Sequence, residues 1–205
     1  MKKIPIVLVF AGHDPCGGAG IQADIEALAS QGCHAATTLT ALTVQDSRDV
    51  QDFRPLDAVD VIAQARAVLE DMPVDVFKLG MLGSVRNIEA IHTILSDYPV
   101  IPVVLDPVLA SGGGTDLGGP ELAEAMRILL LPMTTVLTPN TLEARALARG
   151  ADTIEACALS LLEDGVDYVL VTGTHENTRH VDNRLYHDDR LLETFSWERL
   201  PDSYH

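Results

Sequence analysis

Gly12-His-Asp-Pro-Cys-Gly-Gly-Ala-Gly20 stands between an apolar run over residues 4–10 and the segment Ile21-Gln-Ala-Asp-Ile-Glu-Ala-Leu-Ala29, whose apolar residues return at helical spacing. That order reads strand, glycine-rich turn, helix. Glycines let the main chain take positive φ and approach a ligand closely, because no Cβ intervenes. A helix starting at such a turn aims unpaired N–H groups and a partial positive charge at whatever binds there. A small anionic or polar molecule is therefore expected over residues 17–20.

The alternation continues outward from this point. Strands are expected over 4–10, 34–42, 74–79, 101–105, 136–137 and 168–171. Helices are expected over 21–31, 58–71, 85–96, 121–130, 142–149 and 154–163. Such alternation implies an α/β layer structure around a largely parallel sheet. Asp57, Ser84 and Asn140 suit N-cap positions, and Gly32 and Gly150 suit positions just past helix ends. Residues 181–186 and 191–197 read as a hairpin, and residues 50–55 as a small flap outside the main sheet. With no internal repeat or linker, a single domain over residues 1–205 is expected.

The 205 residues are 47% hydrophobic with scattered charges, which is the composition of a globular protein with a sizeable core. A net charge of −16 repels nucleic acid and anionic membranes, so neither is expected as a partner. A phosphate ligand then needs helix ends, a metal ion or a few placed cations. Cys16, Cys33 and Cys157 match no metal-ligand spacing, and their odd number agrees with a reducing, cytoplasmic setting. Residues 1–12 have too short an apolar stretch for a signal peptide, and no run reaches transmembrane length.

Several groups could carry chemistry. The turn is no Walker loop, because no Lys-Ser/Thr follows Gly20. Residues 18–23 fit the loose dinucleotide pattern, yet the second strand offers no well-placed acid, Asp46 coming late. His13 and Asp14 suit a turn, while Asp24, on the first turn of the helix, suits the helix dipole. Gln45 follows the second strand. Its amide donates and accepts at once, which fits a heterocycle edge bearing an amine and a ring nitrogen, or simply a solvated loop. Lys78 faces a phosphate or pairs with an acid, and Met81 packs on a flat ring or fills core space.

Asp106 ends a buried parallel strand, where α/β sheets bind ligands. Hydrogen bonding to neighbouring loop amides is its competing role. Asn140 and Glu143 have the spacing of a capping box, or order water around Mg²⁺. Thr172 and Gly173 close another strand with a hydroxyl and a glycine suited to a nucleotide phosphate.

Taken in register, residues 12–24, 41–45, 78–81, 105–108, 138–143 and 169–175 resemble the hydroxymethylpyrimidine/phosphomethylpyrimidine kinases of thiamine biosynthesis. The resemblance implies a ribokinase-like three-layer α/β sandwich with a largely parallel central sheet, truncated at its C-terminus. It implies ATP-dependent phosphorylation of 4-amino-5-hydroxymethyl-2-methylpyrimidine or of its monophosphate, with vitamin B6 analogues as further candidates. Gln45, Gly12, Ala19, Asp24, Met81 and Val108 would bind the substrate. Asp106, Asn140, Thr172 and Gly173 would meet the nucleotide, and Glu143 with Asp106 would hold Mg²⁺. ATP and Mg²⁺ are thus the implied cofactors, and a homodimer stays open.

Four departures qualify the likeness. Cys16 stands where many relatives have Ser, and Thr172 where many carry Lys. The loop over residues 110–114 is neutral where a Lys is usual. Relatives also continue past the equivalent of His205 with Gly-Ser/Thr-Gly-Cys-Ser/Thr, which supplies an amide pocket and a thiol. Neither Cys16, Cys33 nor Cys157 takes that role, so no catalytic residue carries over. Each lost preorganised donor costs ~10²–10³ in rate, so the chain is expected to be nearly inactive, with a sheet face uncovered. Two other readings remain: a non-catalytic pyrimidine-binding protein, and a nucleotide-cofactor oxidoreductase resting on residues 18–23.

Overall fold

A computed structural model describes residues 3–110 and 117–200. The expected neutral loop over 111–114 and the terminal stretch at 203–205 lie outside the described residues. Nine strands form one sheet: β1 Ile6–His13, β2 His34–Gln45, β3 Val50–Pro55, β4 Val76–Leu79, β5 Val103–Leu105, β6 Val136–Leu137, β7 Tyr168–Val171, β8 His180–His187 and β9 Arg190–Glu198. Their order is β3-β2-β1-β4-β5-β6-β7-β8-β9. The six strands from β2 to β7 in that order run parallel, while β3 and β8 pair antiparallel with their neighbours and β9 pairs antiparallel with β8. Residues 50–55 are therefore the edge strand of the sheet itself and not a flap outside it. Pairing of Leu42, Thr43 and Val44 with Arg54, Phe53 and Asp52 draws them in.

The helices are α1 Gly20–Ser30, α2 Ala58–Asp71, α3 Val85–Asp97, α4 Gly119–Ala125, α5 Thr141–Leu147 and α6 Ile154–Glu163. Buried residues of α2 to α6, among them Val61, Ile91, Leu122, Leu147 and Leu161, pack with Leu8, Phe10, Leu79, Leu105 and Val169 of the sheet. On the opposite face Ile21 and Leu28 of α1 cover Val7, Val9 and Ala11. Because β1 is buried on both faces, its sequence is a continuous apolar run rather than an alternation. Among the described helices only α1 lies on that second face, and β9 is exposed along its whole length.

Local chemistry explains most boundaries. Ser84 and Thr153 accept hydrogen bonds from Asn87 and Ala156 N–H and start α3 and α6. Asp57 occupies the N-cap position of α2 but makes no capping bond with its side chain. The helix expected over 121–130 divides, because Pro132 cannot donate to the ladder. α4 widens over Met126–Leu130 and tightens over Leu131–Met133. Gly32 and Gly150 take φ of 74° and 85° after their helices, as expected. β8 and β9 meet through Asp188 and Asp189, at φ of 49° and 56°, the twist a two-residue hairpin turn needs. No helix among the described residues is long and apolar enough to cross a membrane.

Candidate active site at the carboxyl edge of the sheet

β1 is the point at which strand order reverses, with β2 on one side and β4 on the other. Parallel sheets open a crevice at the carboxyl ends of strands flanking such a point. A cavity of about 270 Å³ lies there, lined by the ends of β1, β2 and β4, by the start of α1 and by Asp106 and Val108 beyond β5. That volume suits a single-ring molecule. Gly12, Ala19, Asp24, Gln45, Met81, Asp106 and Val108, seven residues singled out from sequence, all line it.

The turn does not wait for an external anion. Asp14, only 1% exposed, takes the N–H groups of Cys16 and Ala19 at 2.8 Å each. Burial raises its pKa, but these bonds, with the Gln45 side chain and Gly18 N–H nearby adding to them, hold the carboxyl below the usual range. The chain's own carboxylate thus fills the place where a bound anion was expected. Gly20 makes the turn possible: its φ is +59°, and a Cβ there would stand 2.4 Å from the Gly12 carbonyl oxygen.

β2 runs on to Gln45, so this residue ends a strand instead of sitting in the following loop. Register shifts by one residue between Val44 and Gln45, where the strand pairs with β3. Met81 closes one wall, its Sδ 3.0 Å from where a Gly12 Cβ would be.

Asp24 lies on the second turn of α1, beyond reach of the helix dipole suggested for it. It pairs with Lys78 at 3.0 Å, both side chains about one-fifth exposed. The lysine at the end of β4 therefore meets an acid lining the same cavity. Asp106 sits near this pair. Burial raises its pKa first, Lys78 acts against that, and Asp24 adds to it.

Asn140, Glu143, Thr172 and Gly173 gather to one side, outside the lining of the main cavity. The capping box is complete: Asn140 Oδ1 accepts from Leu142 and Glu143 N–H at 2.9 Å, and Glu143 Oε2 accepts from Asn140 N–H at 2.9 Å. Glu143 is 8% exposed, and burial raises its pKa to about 7, with Asp106 adding to the rise. Thr172 bridges to Asn140, and its N–H goes to the Pro139 carbonyl. Gly173 N–H, expected to face a phosphate, is already given to Asn183 Oδ1 at 3.1 Å. Arg199 then binds the carbonyls of Gly173, Thr174, Glu176 and Thr178, fastening the loop after β7.

The sequence marks Asp14 only as a turn-former and Lys78 as facing a phosphate or an acid, and it does not single out Asp49 or Val50. All four line the cavity. Asp14 was detectable as an acid preceding several N–H groups in a turn. Asp49 and Val50 arrive through long-range pairing of β3, for which the sequence carried no signal.

Strand order, cavity position and the helices on both faces define a ribokinase-like α/β protein. It is similar to the pyridoxal kinase of Bacillus subtilis in its ADP complex, with a TM-score of 0.86 at 29% identity over 98% of this chain and 78% of that one. The phosphomethylpyrimidine kinase family model matches residues 14–205, and the chain belongs to that family. A chloroplastic thiamine biosynthetic bifunctional enzyme of Arabidopsis thaliana is 40% identical over 84% of this chain and 34% of its own length. A hydroxymethylpyrimidine/phosphomethylpyrimidine kinase of Haemophilus influenzae is 36% identical over 85% and 66%. The chain thus spans about one-third and just under two-thirds of the lengths of these two relatives. Family membership displaces the oxidoreductase reading of residues 18–23.

Proposed function

We propose that the chain binds 4-amino-5-hydroxymethyl-2-methylpyrimidine or its monophosphate and serves transfer of the γ-phosphoryl group of ATP to it. The observation that carries this reading is the gathering of Gln45, Met81, Gly12, Ala19 and Val108 around one ring-sized cavity that Asp106 also lines. Gln45 would hydrogen-bond the amine and ring nitrogen, with Met81 against the ring face. Transfer forms a bond between the hydroxymethyl oxygen and the γ-phosphorus and breaks the bond to the β–γ bridging oxygen. ADP leaves with the bridging oxygen, and the hydroxyl proton passes to solvent water.

Nucleotide phosphates would lie between Asp106 and the group formed by Asn140, Thr172 and Gly173. Among the described residues no group of three His, Cys, Asp or Glu side chains is placed to hold a metal ion. Asp106 and Glu143, two buried carboxyls whose charges oppose each other, nevertheless fit an ion that keeps several waters. Mg²⁺ bound there would neutralise phosphate charge, which is the main requirement of phosphoryl transfer. Free Cys16, Cys33 and Cys157 fit a cytoplasmic setting.

A binding protein without turnover is the second reading, favoured by the commitment of Gly173 N–H to Asn183. Calorimetry with the aminopyrimidine, beside an assay of ADP release, tests both. Binding with ADP release supports the kinase, and binding alone supports the second reading. Gln45→Ala lowers affinity ~10–100-fold, as loss of two buried hydrogen bonds requires. Unchanged affinity would refute the site.

A further inference from the structure

We propose that Asn87, which is buried in α3 and lines no part of the cavity, is a positioning residue that sets how far Met81 reaches over the bound ring. The inference rests on the reading of Met81 as the side chain lying against the ring face.

Met81 follows β4 in a stretch without regular structure. A methionine side chain turns about three bonds, so it presents a defined surface only where its main chain is held. Here residues 80–83 are held one by one. Gly80 N–H goes to the Phe10 carbonyl at 2.8 Å. Thr40 Oγ1 donates to the Met81 carbonyl at 2.5 Å, and Asn87 Nδ2 donates to the Leu82 carbonyl at 2.9 Å. Gly83 has φ of +79°, and a Cβ there would stand 3.2 Å from the Ala41 Cβ.

Asn87 Nδ2 also donates to the Thr40 carbonyl at 3.2 Å. One amide therefore joins the peptide after Met81 to the strand residue whose hydroxyl holds Met81. Both Nδ2 hydrogens are spent in doing so, and turning the amide over would set Oδ1 against two carbonyl oxygens. Asn87, Thr40 and Leu82 are all 0% exposed, so solvent does not compete for these bonds. The Asn87 N–H, given to Ser84 Oγ at 3.2 Å, seats the residue in the first turn of α3.

Among the described residues Asn87 Oδ1 has no partner. A buried acceptor left unpaired costs stability, and an apolar side chain would carry none. What the amide contributes is thus its two donors, and both act on the surroundings of Met81. The reach of that side chain has little slack, since its Sδ lies 3.0 Å from where a Gly12 Cβ would be. A shift of the 81–82 peptide would carry the sulfur onto the Gly12 main chain or back from the cavity.

A double-mutant cycle tests the coupling, read as calorimetric affinity for 4-amino-5-hydroxymethyl-2-methylpyrimidine. Asn87→Leu and Met81→Ala should each weaken binding by ~10-fold, and the double variant should bind within ~2-fold of Met81→Ala alone. If the two losses multiply, Asn87 acts on the site by another route and the proposal fails. Full affinity in Asn87→Leu also overturns it, while leaving Met81 in its role. Full affinity in Met81→Ala sinks the reading of Met81 and the proposal with it. A general loss of folding would fall on both backgrounds alike, so the cycle separates positioning from mere support. Asn87→Ala removes the same donors without adding bulk, and it should repeat the pattern.

The ¹³C-methyl resonance of Met81, assigned by its loss in Met81→Ala, supplies a second readout without ligand. In Asn87→Ala it should move toward the position of solvated methionine, while the resonances of Met72, Met126 and Met133 stay in place. An unmoved Met81 resonance would overturn the proposal.

Discussion

Around β1, β2 and β4 both faces of the sheet are covered, and the turn entering α1 is tied to a buried carboxylate. From β7 onward the described helices cover one face, β9 is exposed throughout, and the loop after β7 is fastened by one arginine. The first region is fixed by bonds within the chain itself. The second depends on side-chain-to-carbonyl bonds near the surface, which open more readily. Preorganisation here belongs to the side proposed for the pyrimidine, and adjustment to the side proposed for the nucleotide.

The comparison breaks most severely at Gly20. Gly20→Ala should cost about 2–4 kcal/mol and abolish aminopyrimidine binding, because positive φ and the Gly12 carbonyl both oppose a Cβ. Denaturant melts and calorimetry check this, and an alanine variant with unchanged stability would show that the turn is not strained against substitution.

Glu143 gives the next effect, and its sign follows from its raised pKa of about 7 against an unfolded value of 4.5. The folded state binds the extra proton, so this group's contribution is full below pH 4.5 and is lost as pH rises through 7. Glu143→Gln should therefore be about 2 kcal/mol more stable than the parent at pH 8, with that advantage shrinking or reversing at pH 5. A difference independent of pH would contradict the burial of an uncompensated charge.

Arg199→Ala should cost about 1 kcal/mol, and it should speed amide exchange over residues 173–178 while leaving residues 14–20 protected. Equal acceleration in both stretches would erase the distinction between the two regions. The smallest effect is expected for Trp197→Thr on exposed β9, below about 0.5 kcal/mol in thermal melts. A larger loss would mean that this strand carries more of the fold than its exposure allows.

The parallel sheet was legible because β1, β4 and β5 are short apolar runs bounded by glycine, proline or aspartate, and the capping box because Asn140 and Glu143 satisfy each other locally. Seven of the expected residues meet at one cavity, where the strand order reverses at β1. What sequence spacing missed was set at long range. β3 joins the sheet through pairing with β2, and Asp24 finds Lys78 fifty-four positions away. The extra residues of β1 and β2 were hidden for a related reason. Gly12, His13 and Gln45 do not favour strand by themselves, and their neighbours hold them in it.

Asp14 gathers main-chain amides and not the side chains of the turn. Position 16 can therefore exchange cysteine for serine without the clamp registering the swap, whereas position 14 has no such latitude. Mutational freedom in this stretch is distributed by backbone duty, residue by residue, and the motif's letters carry unequal weight.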